Sequence, residues 1–116
     1  LSLSTSHELL LRIHWVAILY GALKSDLAVT GGVHSAEDVL KTIMAGANVA
    51  MMTSSLLRYG IQHAQLVLGQ LRRWMEEHEY ESIRQMRGSM AYRSVARPEV
   101  FERVNYMKVL SSYSLR

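Results

Sequence analysis

The stretch Leu27 to Ser55, LAVTGGVHSAEDVLKTIMAGANVAMMTSS, decides the fold. Its opening run, Leu27-Ala28-Val29-Thr30, is short, apolar and ends on two glycines, which reads as a buried strand rather than a helix. Ser35 then starts a helix. Ala36, Val39, Leu40, Ile43 and Met44 recur every three or four residues and make one apolar face. Ser35 and Asp38 have the layout of a capping box with Asp in its third place, and Glu37 and Asp38 suit the positive end of the helix dipole. Gly46 suits the residue just past the helix end. Val49-Ala50-Met51-Met52 is a second short apolar strand. Two strands joined by a crossover helix are expected to be parallel, with a right-handed connection. Their continuous apolar character predicts that both faces of the sheet are covered. The fold class is α/β.

Working outward, residues 1–8 (LSLSTSHE) read as a polar loop. Residues 9–23 read as a helix that is apolar on most sides, weakened at Gly21, and therefore buried. Residues 54–59 allow a short helical turn before Gly60. Residues 61–80 predict a long amphipathic helix whose stripe is Ala64, Val67, Leu68, Leu71, Trp74 and Met75. Residues 82–87 predict a short helix, with Ser82 and Gln85 as a capping box. Residues 91–97 read as a linker, and Pro98 suits the first turn of a last helix carrying Val100, Phe101, Val104, Met107 and Leu110. The chain thus divides into residues 1–90 and a tail of residues 91–116.

Composition narrows the function classes. A length of 116 residues bounds the chain to one domain at most. Hydrophobic residues at 49% and charged residues at 20% exclude wholesale disorder. The absence of Cys excludes disulfides, thiolate metal sites and cysteine nucleophiles within these residues. Between Lys41 and Arg58 lies the longest uncharged stretch, 16 residues, interrupted by Thr, Asn, Gly and Ser, so no membrane span is expected. No basic segment opens the chain as a signal peptide would, which leaves a cytoplasmic location as the expectation. The net charge of +3 sits in the second half, but there acids interleave with bases, as in Arg72-Arg73-Trp74-Met75-Glu76-Glu77. That pattern describes a solvated helix face, and nucleic-acid binding, which needs a concentrated cationic track, is not expected.

Candidate chemistry gathers at the two strand ends. Gly31 and Gly32 follow the first strand, where glycine lets the backbone turn tightly and lets a ligand approach its N–H groups. Such bare N–H groups before a helix make an anion site, above all for phosphate. Thr53 and Ser54 follow the second strand. In a parallel sheet the two strand ends are neighbours, so both segments are expected to face one point. The plain alternatives are a tight turn at the glycines and ordinary helix capping at Thr53 and Ser54. His34 stands beside this point. His7, His14, His63 and His78 show no metal-ligand spacing, so no metal site is expected. No catalytic acid or base pair can be assigned.

The order and spacing of these pieces resemble the C-terminal part of dihydroorotate dehydrogenase, in the dehydrogenase-like branch found in bacteria. The strings that carry the resemblance are WVAILYGALKSDLAVTGGVHSAEDVLKTIMAGANVAMMTSSLLRYG, LRRWMEEHEYESIRQMRGSM and PEVFERVNYMKVL. Together they cover nearly the whole chain. The resemblance implies the C-terminal portion of a (β/α)₈ barrel with additional C-terminal helices, since a whole barrel needs about 250 residues. It implies FMN as cofactor and oxidation of (S)-dihydroorotate to orotate in pyrimidine biosynthesis. It places Gly31 and Gly32 on the glycine pair that cradles the flavin phosphate. Thr53 and Ser54 fall on the second phosphate segment, commonly Gly-Thr, from which Thr53 departs. Ser2 to Ser6 fall on a third flavin-contacting loop, glycine-rich in relatives and serine-rich here.

The base, the lysine near the flavin ring and the asparagines that hold orotate are implied upstream of these residues, so the 116 residues alone are expected to show no turnover. Self-association into a homo-oligomer is compatible with this reading. Two other classes remain open. One is another FMN barrel oxidoreductase, such as a dihydropyrimidine dehydrogenase relative. The other is a non-catalytic, truncated helical interaction module. The electron acceptor is not written in these residues.

Overall fold

The Ser35 capping box forms in full. The Ser35 hydroxyl accepts from the Asp38 amide, and the Asp38 carboxylate accepts from the Ser35 amide. From this cap the central helix α2 (Ala36–Ala45) runs to Gly46, whose φ of 125° suits a residue without Cβ. On either side of α2 in sequence lie the strands β1 (Ala28–Thr30) and β2 (Val49–Met51). They pair in parallel, with Ala28 opposite Val49, Val29 opposite Ala50 and Thr30 opposite Met51. The chain is therefore a mixed helix–strand α/β structure with a parallel sheet, as its hydrophobic pattern predicts.

The remaining elements are α1 (Leu9–Leu19), α3 (Ser54–Tyr59), α4 (His63–Glu77) and α5 (Ile83–Met86). A 3-10 turn at Ser6–Glu8 precedes α1, inside the segment read as loop. The computed structural model describes residues 2–91. The expected linker beyond Ala91 and the helix after Pro98 lie outside the described residues. So does the tail, residues 91–116, apart from Ala91.

Two apolar clusters meet at α2. One joins Leu9, Val16 and Ala17 of α1 to Val29 of β1, Val33 and Ala45. The other joins Ala36, Leu40 and Ile43 of α2 to Val67 and Leu71 of α4 and Met86 of α5. α2 is thus covered on two sides, which explains why even Thr42 is fully buried, its hydroxyl donating to the Asp38 carbonyl at 2.8 Å.

Four expectations need correction. Helix α1 stops at Leu19 rather than at residue 23, because Tyr20 turns to ψ 122° and its ring enters a slot between Gly46 and Gly88. Helix α4 spans His63–Glu77 rather than residues 61–80, since Gly60 at φ 93° and the following turn delay its start. Its stripe is narrower than predicted. Val67 and Leu71 are buried and Trp74 and Met75 half-buried, whereas Leu68 stays 58% exposed. Finally, the sheet is not covered on both faces. Val29 is buried against α1, but Val49 and Met51 are 50% and 48% exposed, because among the described residues no helical layer covers the second face.

Two of the three leucines of α4 give a direct test. Leu71→Ala should cost about 2–4 kcal/mol, the usual range for emptying a buried leucine site. Leu68→Ala should stay within about 0.5 kcal/mol, as exposed substitutions do. Urea unfolding of the two variants checks the pair, and equal losses would contradict the burial described.

Candidate functional site

The parallel register of β1 and β2 brings their carboxyl ends side by side, and the loops that leave them face one hollow. This cavity of about 270 Å³ is lined by Thr30, Gly31, Gly32 and Val33 after β1, by Met51, Met52, Thr53 and Ser54 after β2, and by Ser2, Ser4 and Glu8 from the N-terminal segment. The structure thus gathers Gly31, Gly32, Thr53 and Ser54 at one point. It also adds the serine-rich segment as a third wall.

Ser4 ties the three walls together. Its amide donates to Ser54 Oγ at 3.1 Å, and its hydroxyl accepts from the Gly32 amide at 3.2 Å. The same hydroxyl lies 3.4 Å from His34 Nε2. Thr53 precedes α3 without making a side-chain cap bond, and the Ser54 hydroxyl is engaged by Ser4 rather than by its own helix. Helix capping therefore does not account for these two side chains. Ser55, fully buried beneath them, donates to the Val33 carbonyl at 3.3 Å and ties α3 to the β1 loop.

The glycines serve the packing of the chain itself. A Cβ on Gly32 would lie 2.7 Å from the Leu9 amide nitrogen and 2.9 Å from the Thr5 carbonyl oxygen. With φ at +93° the position is closed to other residues on both counts. A Cβ on Gly31 would meet the Arg12 guanidinium at 2.9 Å. The bare Cα of Gly31 so lets a cation lie against the loop beside the hollow, held there by its bond from Nη1 to the Glu8 carbonyl at 2.6 Å. The spacing of the sequence points to a ligand at these glycines. Spacing alone gives no sign of the N-terminal segment that presses on them from the other side, which only the family resemblance brings there.

Asp38 anchors this arrangement from below. It is 6% exposed, and its Oδ2 accepts from Ser6 Oγ at 2.6 Å, the His34 amide at 3.0 Å and the Ser35 amide at 3.2 Å. One oxygen therefore caps α2, fixes the loop after Gly32 and pins the N-terminal segment. His34 is buried, and its carbonyl accepts from His63 Nε2 at 2.6 Å, so that nitrogen of His63 carries a proton. Asp38→Ala should cost about 2–4 kcal/mol, since three donors, the buried His34 amide among them, lose their acceptor. Thermal melting reads the effect, and an unshifted transition would contradict the anchoring role.

Arg12 and Asp38 carry no sequence signal of this placement, since Arg12 stands in a helix readable only as apolar and Asp38 reads only as a cap. Ser4 stands in a segment that is polar by composition, and only the family resemblance brings that segment to a ligand. The histidines sort differently. His78 donates from Nδ1 to the Trp74 carbonyl at 2.9 Å and stacks on the Trp74 ring at 4.0 Å, closing the end of α4. His14 is buried edge-on to Trp15. Among the described residues no cluster of three or more His, Asp or Glu could hold a metal ion. Among them, too, no helix is long and apolar enough to cross a membrane.

The hollow can therefore offer an anion backbone amides at two strand ends, three serine hydroxyls and a nearby guanidinium, with Glu8 as its acidic wall. No family model matches the sequence, and no curated protein matches it.

Proposed function

We propose that the chain is the phosphate-holding end of an FMN-dependent oxidoreductase of the dihydroorotate dehydrogenase type, the C-terminal portion of a (β/α)₈ barrel. The observation that carries this reading is the hollow of about 270 Å³ where the loops after two parallel strands meet a third, serine-rich wall. Barrel enzymes of this kind build phosphate sites at the carboxyl ends of their last two strands. The residue order TGGVHSAED, then MMTSSLL, resembles that family's phosphate segments. The open second face of the sheet, with Val49 and Met51 exposed, suits a sheet that continues into a barrel.

The residues present fit a phosphate group. Gly31, Thr53 and Ser54 would hold it through backbone amides, with the Ser54 hydroxyl as a further donor, whereas the Gly32 amide donates to Ser4 Oγ and would act through that hydroxyl. Arg12 would lend positive charge from the side of Gly31. FMN, when bound, accepts the hydride taken from the substrate. These residues position and neutralise the phosphate end, and none of them is assigned to the proton step.

The test uses the polypeptide that carries this segment together with the upstream part of its barrel. Anaerobic addition of (S)-dihydroorotate should bleach its flavin absorbance. Bleaching by dihydrouracil instead would move the assignment to a pyrimidine-reducing relative. A polypeptide that holds no flavin would overturn it.

A further inference from the structure

We propose that Ser4 and His34 form a proton-controlled donor switch that makes this hollow bind a phosphate or sulfate dianion more tightly in mild acid. The inference rests on the anion site just proposed and adds its regulation. The Ser4 hydroxyl has one proton to give, and it sits between the His34 ring and the hollow. Ser4 Oγ already accepts from the Gly32 amide, and its other neighbour is His34 Nε2 at 3.4 Å.

When His34 is neutral with its proton on Nδ1, Nε2 is an acceptor and takes the Ser4 proton. The hydroxyl, with one lone pair taken by the Gly32 amide, then turns only its other lone pair toward the hollow. When His34 is protonated, both ring nitrogens are donors. Nε2–H then donates to Ser4 Oγ, and the Ser4 proton swings into the hollow. One protonation therefore converts Ser4 from a repelling acceptor into a donor and places a cation behind it. Charge-assisted bonds of this kind are roughly twice as strong as neutral ones. Histidine is the side chain whose charge ordinarily changes between about pH 5 and 8.

Several other charged groups surround His34. Asp38 of α2 holds its amide, His63 of α4 donates to its carbonyl, and Glu8 of the N-terminal segment lines the hollow. The contact to the Ser4 hydroxyl is made by the His34 ring itself, at 3.4 Å.

The probe is sulfate, which keeps its double charge through mild acid where phosphate gains a proton. Its affinity is read from the Gly32 and Ser54 amide resonances of the chain at about pH 5.5 and pH 8, either side of the ordinary histidine range. The expected result is about ten-fold tighter binding at the lower pH, the scale of one added charge-assisted bond. His34→Gln should bind with little pH dependence, Ser4→Ala should lose much of it, and His63→Gln should keep it. Binding by the unaltered chain that does not change with pH would overturn the switch and leave the anion site standing. No binding at either pH would overturn both. A measurement free of variants is the ring nitrogen spectrum of His34 above neutral pH. Protonation on Nδ1 supports the switch, and protonation on Nε2 overturns it.

Discussion

Gly88→Ala will be among the most damaging single substitutions in this chain, costing about 3–5 kcal/mol. The sum combines a left-handed backbone forced on a residue with Cβ and an overpacked core contact. Gly88 has φ +77°, and an added Cβ would fall on the Tyr20 ring. Gly46 presses on the same ring, where a Cβ would come within 2.5 Å of it. Tyr20 thus fills the slot between the end of α2 and the turn after α5. The Gly88 amide donates to the Ile43 carbonyl at 3.0 Å and holds that slot shut. Tyr20→Ala in the same molecule should recover part of the loss, about 1–2 kcal/mol, because it removes the overlap and leaves the backbone strain. Urea unfolding of the two single variants and the double variant measures this coupling. Additive losses would show that the ring and Gly88 do not compete for space.

The second large effect concerns the hollow itself. Ser54→Asp places a carboxylate where the proposed anion sits, and like-charge contact there should weaken sulfate or FMN binding by about a hundred-fold. The aspartate can still accept the Ser4 amide that Ser54 Oγ accepts now, so the melting temperature should move little. Gly32→Glu would also abolish flavin retention, but it is the poorer probe, since any Cβ at that position collides with the Leu9 amide and the Thr5 carbonyl. Ser54→Asp that binds sulfate as well as the parent chain would remove Ser54 from the site.

The features legible in the sequence are those fixed by neighbours in the chain. The capping boxes at Ser35 and Ser82, the stop at Gly46 and the two parallel strands depend on residues a few positions apart, and all of them form. The convergence of Gly31, Gly32, Thr53 and Ser54 was also legible, because a parallel pair leaves both carboxyl ends on one side. The features that were not legible depend on distant partners. Helix α1 ends early because Tyr20 is wanted by Gly46 and Gly88, well over twenty residues away. Leu68 is exposed because α4 meets α2 through the narrower stripe of Val67 and Leu71. Ser4 becomes the centre of the site only when the N-terminal segment folds back across Gly32 and Ser54, contacts separated by 28 and 50 positions.

The most direct measurement is a titration of the isotopically labelled chain with FMN, and in parallel with riboflavin, which lacks the phosphate. The account predicts saturable shifts of the Gly31, Gly32, Thr53 and Ser54 amides with FMN, reproduced by inorganic phosphate and absent with riboflavin. Shifts that riboflavin produces equally, or FMN titration that leaves these four amides unmoved, would contradict a phosphate site at the two strand ends.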